Sequence, residues 1–157
     1  MRPYLDKVMP DAWAAASEFS SAIRKSALQR GLSVQELELI KLRTSQINAC
    51  AFCVELHSRE ARKAGITQQK LDLLPAWRET DLFDDRHRAV LAVAEAATVL
   101  PISRDSESDL ESARTVLGDD AFVAAEWVAV TINAFNRISI LSRHQVRPRD
   151  NEGAIVR

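Results

Sequence analysis

The chain has little of what tight turns, membrane spans and disulfide scaffolds are built from. Its 157 residues include only 4 Gly, 5 Pro and 2 Cys. No glycine-rich loop is present to cradle a phosphate. No apolar run reaches the roughly 20 residues that cross a bilayer, so no membrane partner is expected. Neither charge sign dominates: 21 Lys and Arg stand against 22 Asp and Glu. That balance leaves no basic field for nucleic acid or an anionic membrane surface. The segment from Met1 to Asp11 lacks an apolar signal core, so a cytoplasmic location is expected. The length fits a single domain, here 1–147, which buries its core without disulfide staples. Residues 148–157 read as a flexible tail.

What the chain does have is one concentrated cluster of reactive side chains. Its two cysteines fall in Cys50-Ala51-Phe52-Cys53-Val54-Glu55-Leu56-His57. At about 100° per residue on a helix, Cys53 and His57 lie about 60° and 20° from Cys50, in one stripe. A thiolate is the reactive form of cysteine, and an imidazole or a helix N-terminus lowers its pKa. In a reducing compartment a disulfide is usually transient and catalytic. Closing a three-residue loop would remove almost no chain entropy, so a structural staple is a poor reading.

The apolar spacing is helical almost throughout, and no strand pattern is present, so the fold is expected to be all-α. A first helix is expected from Pro10 to Leu28, stopped by Gly31. Ser33 and Glu36 form a capping box for a second, from Val34 to Ile47, which is apolar on nearly every face and therefore central. Asn48 reads as the N-cap of a third helix, Ala49 to Ala64, with Cys50 in its first turn. Thr67 opens a short helix ended by Pro75, and Asp84 or Asp85 opens another that runs towards Pro101. Ser106 to Leu117 and Asp119 to Arg143 complete the set. The last helix is dense in apolar residues from Ala121 to Phe135, as a core helix or subunit interface would be. With the second helix also apolar nearly all round, a homo-oligomer is expected.

Several familiar uses of Cys-x-x-Cys fail on the residues themselves. Covalent haem attachment needs a histidine directly after the second cysteine, where Val54 stands. Structural zinc needs four ligands, and Cys50, Cys53 and His57 supply three, with only His87 and His144 as further histidines; a catalytic zinc on two Cys and one His stays conceivable. A thioredoxin-like fold expects a βαβ context that is missing. A dithiol/disulfide centre on a helical scaffold remains. Helix position favours Cys50 as its nucleophile; the i,i+4 placement of His57 favours Cys53. Glu38 reads by periodicity as a solvated acid. Asn133 with Arg137, and Glu95 with Thr98, read as structural polar groups.

The stretch from Glu38 through Ser45-Gln46-Ile47-Asn48 to Cys50, Cys53 and His57 resembles the AhpD-like alkylhydroperoxidases of the carboxymuconolactone decarboxylase superfamily. Ala76-Trp77-Arg78, Ala89-Val90-Leu91-Ala92 and Asn133-Ala134-Phe135-Asn136-Arg137 extend the resemblance over roughly 10–142. The resemblance implies an AhpD-like helical domain with its CxxC motif at a helix N-terminus, assembled as a trimer or hexamer. It implies a peroxidase reducing hydroperoxides through Cys50 and Cys53, restored by an external dithiol or lipoyl-type partner; separately, no cofactor and no metal are expected. Cys53 matches the peroxide-attacking cysteine, Cys50 the resolving one, and His57 and Glu38 the proton relay. Glu38 is thereby promoted from surface acid to site residue, able to handle the Cys50 proton if burial raises its pKa toward neutrality. One departure is Phe52, where the best-known members place a histidine between the cysteines. A thiol-based sensor or interaction protein, or a non-redox carboxymuconolactone decarboxylase-like enzyme, is the alternative.

Overall fold

The computed structural model describes residues 2–150 and 152–156, and within them the architecture is all-helical. A short α1 (Leu5–Val8) precedes α2 (Pro10–Gln29), α3 (Val34–Ile47), α4 (Ala51–Lys63) and α5 (Gln68–Leu73). A 3-10 segment (Leu74–Glu79) leads to α6 (Asp85–Thr98), α7 (Arg104–Leu117) and α8 (Asp119–Ser142). Arg149 and Ile155 face each other in an isolated antiparallel β-bridge after α8.

The centre of the fold is α3, and its local sequence explains both its start and its place. Ser33 Oγ accepts from the Glu36 amide at 3.1 Å, and Glu36 Oε2 accepts from the Ser33 amide at 2.7 Å. Two of the orphan donors of the first turn are thereby satisfied. Leu37, Leu39, Ile40 and Leu42 are all buried, packed among α4, α6 and α8. Each such side chain contributes about 1.5–3 kcal/mol relative to exposure. Gly31 and Gly65 end α2 and α4 at φ +90 and +91, left-handed positions that favour glycine.

Around this core α2 stands apart. It packs chiefly along α8 and α1, and Ala27 is its only fully buried residue. Trp13 meets Phe135 of α8 edge-on, with ring centroids 5.6 Å apart. A large cavity opens between α2, the α3–α4 pair, α8 and the segment that follows it.

The expected boundaries need four corrections. Asn48 is the C-cap of α3, not the N-cap of α4, and Cys50 occupies that N-cap. The reason is tertiary: Asn48 Nδ2 donates to Asn133 Oδ1 at 2.8 Å and Asn136 Oδ1 at 2.9 Å. Pro75 does not simply stop a helix; it sits at the start of the 3-10 turn that carries Trp77 into the core. Helix α7 starts at Arg104, two residues before the expected Ser106, because Ser103 caps it, its hydroxyl accepting from the Ser106 amide. The turn α1 was not foreseen from the apolar pattern.

Candidate functional site

The turn between α3 and α4 sets the geometry of the two cysteines. Ala49 takes φ 52, a left-handed conformation that costs an L-residue roughly 1–2 kcal/mol. Surrounding bonds hold it there. The Cys50 amide donates to Ser45 O at 3.0 Å, and fully buried Asn136 donates from Nδ2 to Ser45 Oγ at 3.0 Å. Asn136, Asn48 and Asn133 thus tie α8 to the loop ahead of the motif. Asn133 also takes the Arg137 guanidinium, at 3.1 Å, so both belong to the polar scaffold. Glu95 is another structural node, accepting from Trp77, Arg43 and Arg78 at 2.8, 2.9 and 3.0 Å. Thr98 belongs instead to the asparagine network, its hydroxyl accepting from Asn133 Nδ2 at 3.1 Å.

Cys50 and Cys53 are paired, with Cα atoms 5.3 Å apart, inside the roughly 4.4–6.8 Å range of disulfides. Both are buried, but they differ in what they face. Cys53 and His57 line the large cavity, whereas Cys50 and Glu38 lie behind its wall. Cys53 sits in the first turn of α4, where unpaired amides and the helix dipole favour a thiolate.

Glu38 and His57 meet across the α3–α4 interface. His57 Nδ1 lies 2.8 Å from Glu38 Oε2, and Lys41 Nζ lies 2.9 Å from Oε1. Arg24 Nη1 is 3.7 Å from the same Oε1. The sequence-based condition on Glu38 is met in one half and reversed in the other. Burial by itself pushes the carboxyl up, but the His57 hydrogen bond and the Lys41 charge outweigh it and lower the pKa to about 2. The ionised carboxylate can only accept, so Nδ1 of a neutral His57 carries the proton and Nε2 keeps its lone pair. Glu38 thus holds the His57 ring with Nε2 free to accept, and, ionised by its neighbours, it has no proton to give near neutrality.

Two partners of this site escaped the sequence pattern. Lys41 carried a local signal, the i,i+3 spacing from Glu38. His144 carried none. It arrives after α8, with its ring edge-on to Phe52 at 5.3 Å and its Nε2 3.2 Å from Asp6 Oδ1. Phe52 therefore packs against a histidine brought from the far end of the chain. Among the described residues no cluster of three or more His, Cys, Asp or Glu is arranged to hold a metal ion. Nor is any described helix long and apolar enough to cross a membrane.

The helical fold is shared with known proteins. The profile of the carboxymuconolactone decarboxylase family matches residues 10–96. The chain is similar to the uncharacterised Bacillus subtilis protein YdfG, 31% identical over 134 residues that cover 85% of this chain and 88% of YdfG. It is also 36% identical over 67 residues to the uncharacterised Escherichia coli protein YnjA, covering 43% of this chain and 37% of that one. A crystal structure from Agrobacterium tumefaciens superposes with a TM-score of 0.78 at 32% identity, covering 92% of this chain and 96% of the other. That protein is described as of unknown function and as a candidate antioxidant defence protein, AhpD. The chain belongs to the carboxymuconolactone decarboxylase family, as an AhpD-like member.

Proposed function

We propose that this protein is a cytoplasmic thiol peroxidase that reduces hydroperoxides through a Cys50–Cys53 dithiol/disulfide cycle. The observation that carries the reading is the division of the site by the cavity wall: Cys53 and His57 face the cavity and Cys50 does not. His57 follows Cys53 by one helical turn, and its Nε2 accepts the Cys53 proton. The resulting thiolate attacks the distal peroxide oxygen and the O–O bond breaks. Cys53 becomes a sulfenic acid, and the departing alkoxide takes the proton held on His57 and leaves as an alcohol. The Cys50 sulfur then displaces hydroxide from the sulfenic acid, which leaves as water with the Cys50 proton, and the disulfide closes. An external dithiol, of lipoyl type or similar, restores both thiols by exchange and carries the two electrons in.

Steady-state consumption of a hydroperoxide with dithiothreitol or dihydrolipoamide as donor tests this. Many turnovers per protein are expected, with mass spectrometry of the donor-free, peroxide-treated protein showing loss of two hydrogens within one Cys50–Cys53 peptide. A single equivalent consumed would mark a sensor, and both thiols remaining free would reject redox function.

The active unit on this reading is a homo-oligomer, a trimer or hexamer. Val123, Trp127, Val130 and Leu141 form an exposed apolar stripe along α8, with Phe19 of α2 against the Trp127 ring. Spacings of four, three and eleven residues keep these side chains on one helical face. Trp127 is 48% and Val130 52% exposed, an expensive pair to leave in water. Light scattering at micromolar concentration should give a trimeric or hexameric mass that falls in Trp127→Glu. A monomeric wild-type mass would refute the assembly.

A further inference from the structure

The cavity beside Cys53 is far larger than the chemistry of a small peroxide requires. Partly open to solvent, it spans about 920 Å³, whereas a water molecule takes roughly 30 Å³ and hydrogen peroxide has only one more oxygen atom. Pockets for sizeable organic ligands run about 300–1,000 Å³. Trp13 and Ile23 of α2, Leu37 of α3, Leu56 of α4, and Ile132 and Phe135 of α8 supply apolar wall. An apolar body several times the size of the peroxide group fits such a space.

The charged side chains on the same wall are strongly one-sided. Lys7, Arg24, Lys41, Arg59, Arg147 and Arg149 line it against only two carboxylates, Asp6 and Glu55. The whole chain carries a net charge of −1, so this excess is local. Lys41 and Arg24 are answered from behind the wall by Glu38, and Lys7 by Asp6. The excess therefore concentrates elsewhere. Glu55 is shared by two guanidinium groups, with Arg59 Nε at 3.2 Å and Arg149 Nε at 2.8 Å from Oε1, and Arg59 also reaches Glu60 Oε1, outside the cavity lining, at 3.4 Å. Arg147 has no carboxylate partner among the described residues. Arg59 follows Cys53 by six residues, about 9 Å along the axis of α4.

We propose that the cavity binds a long-chain hydroperoxy acid, its apolar chain against the α2 and α8 walls and its carboxylate on the Arg59–Arg147–Arg149 cluster. Guanidinium groups pair with carboxylates through charge-assisted, often bidentate hydrogen bonds, and a cationic mouth raises the local concentration of anions. The chain holds its hydroperoxide beside Cys53, with the carboxylate about 9 Å farther along α4. Chemistry at Cys53 rests on the peroxidase reading, and the product there is the corresponding hydroxy acid; recognition of the acid does not depend on turnover.

Binding and turnover are therefore measured separately on the full-length protein. Titration calorimetry with dodecanoate and dodecanol, neither a peroxide, reads recognition alone. Dodecanoate is expected to bind at least tenfold more tightly than dodecanol and to shield Cys53 of the reduced protein from iodoacetamide. Arg147→Gln should cost about tenfold for dodecanoate and leave dodecanol unchanged. Equal affinity for the two, or no binding of either, overturns the proposal even if small peroxides are turned over. Tight dodecanoate binding without consumption of any hydroperoxide upholds the ligand assignment and defeats the peroxidase reading. A hydroperoxy acid in solution should show a higher kcat/KM than tert-butyl hydroperoxide. Activity confined to oxidised phosphatidylcholine vesicles would assign the cavity to a membrane lipid and overturn the free-acid form.

Discussion

Cys53→Ser is expected to lose all reaction with hydroperoxide, while Cys50→Ser is expected to react once and stop. The two thiols are adjacent in the fold, yet only one has its face on the cavity. Cys53 also lies one turn before His57 on α4, so the nucleophile and base of the proposed mechanism share a helix face. Cys50, as N-cap, has its amide committed to Ser45 O and its carbonyl accepting from the Val54 amide at 2.8 Å. Both cysteines are buried, but Cys50 does not line the cavity, and it is within pairing reach of Cys53. That is the setting of a resolving thiol: shielded from peroxide, close to the sulfenic acid. A dimedone-type trap should label Cys53 in Cys50→Ser protein, and peroxide consumption should equal one per chain. In Cys53→Ser protein no label should form. A label on Cys50 in that variant, with none on Cys53 in the other, would exchange the roles. His57→Gln should move the iodoacetamide reactivity of Cys53 to higher pH, since the lost imidazole no longer accepts its proton.

How far such a site is legible before folding depends on the range of the interactions that build it. The Ser33–Glu36 capping box, the apolar faces of α3 and the stop at Gly65 are local, and each lies where its sequence signal places it. Cys50, Cys53 and His57 are close in sequence, so their grouping also survives. Asn48 shows where local reading fails. As a helix N-cap it is a good residue, but its amide is drawn to Asn133 and Asn136, which lie more than eighty residues away. The helix start then shifts to Cys50. Glu38 fails differently: periodicity placed it near the surface because its partner His57 belongs to another helix. The family motif, rather than the pattern of α3, marked it as a site residue. His144 and the cation cluster had no local signature, being assembled from α1, α4 and the segment after α8. Phe52 looked like a missing histidine in the motif, and the fold sets His144 against it from outside.

Glu38→Gln is expected to weaken both the site and the fold, in a way that pH resolves. The carboxyl of Glu38 titrates at about 2 in the folded chain against an ordinary value of 4.5. A depressed acid pKa stabilises the fold above the unfolded value, and that stability is lost as pH falls through the folded value. The window is therefore from about pH 4.5 down to about pH 2, and the shift corresponds to about 3 kcal/mol at neutral pH. Denaturant unfolding should show the wild type losing stability through this window more steeply than Glu38→Gln. Glu36, whose carboxyl burial pushes up but Arg86 and Ser33 hold below its ordinary value, is present in both proteins and cancels in the difference. For catalysis the amide substitutes poorly. It keeps the shape of the carboxylate but not the charge that holds His57 Nδ1–H as donor, and its NH2 can turn the ring to the tautomer with the proton on Nε2. That tautomer cannot accept from Cys53. Peroxide turnover should fall on the order of 10²-fold at neutral pH, and the thiol reactivity profile should shift to higher pH. A purely structural Glu38 would lower stability without moving that profile. Unchanged turnover in a folded Glu38→Gln protein would remove the carboxylate from the relay.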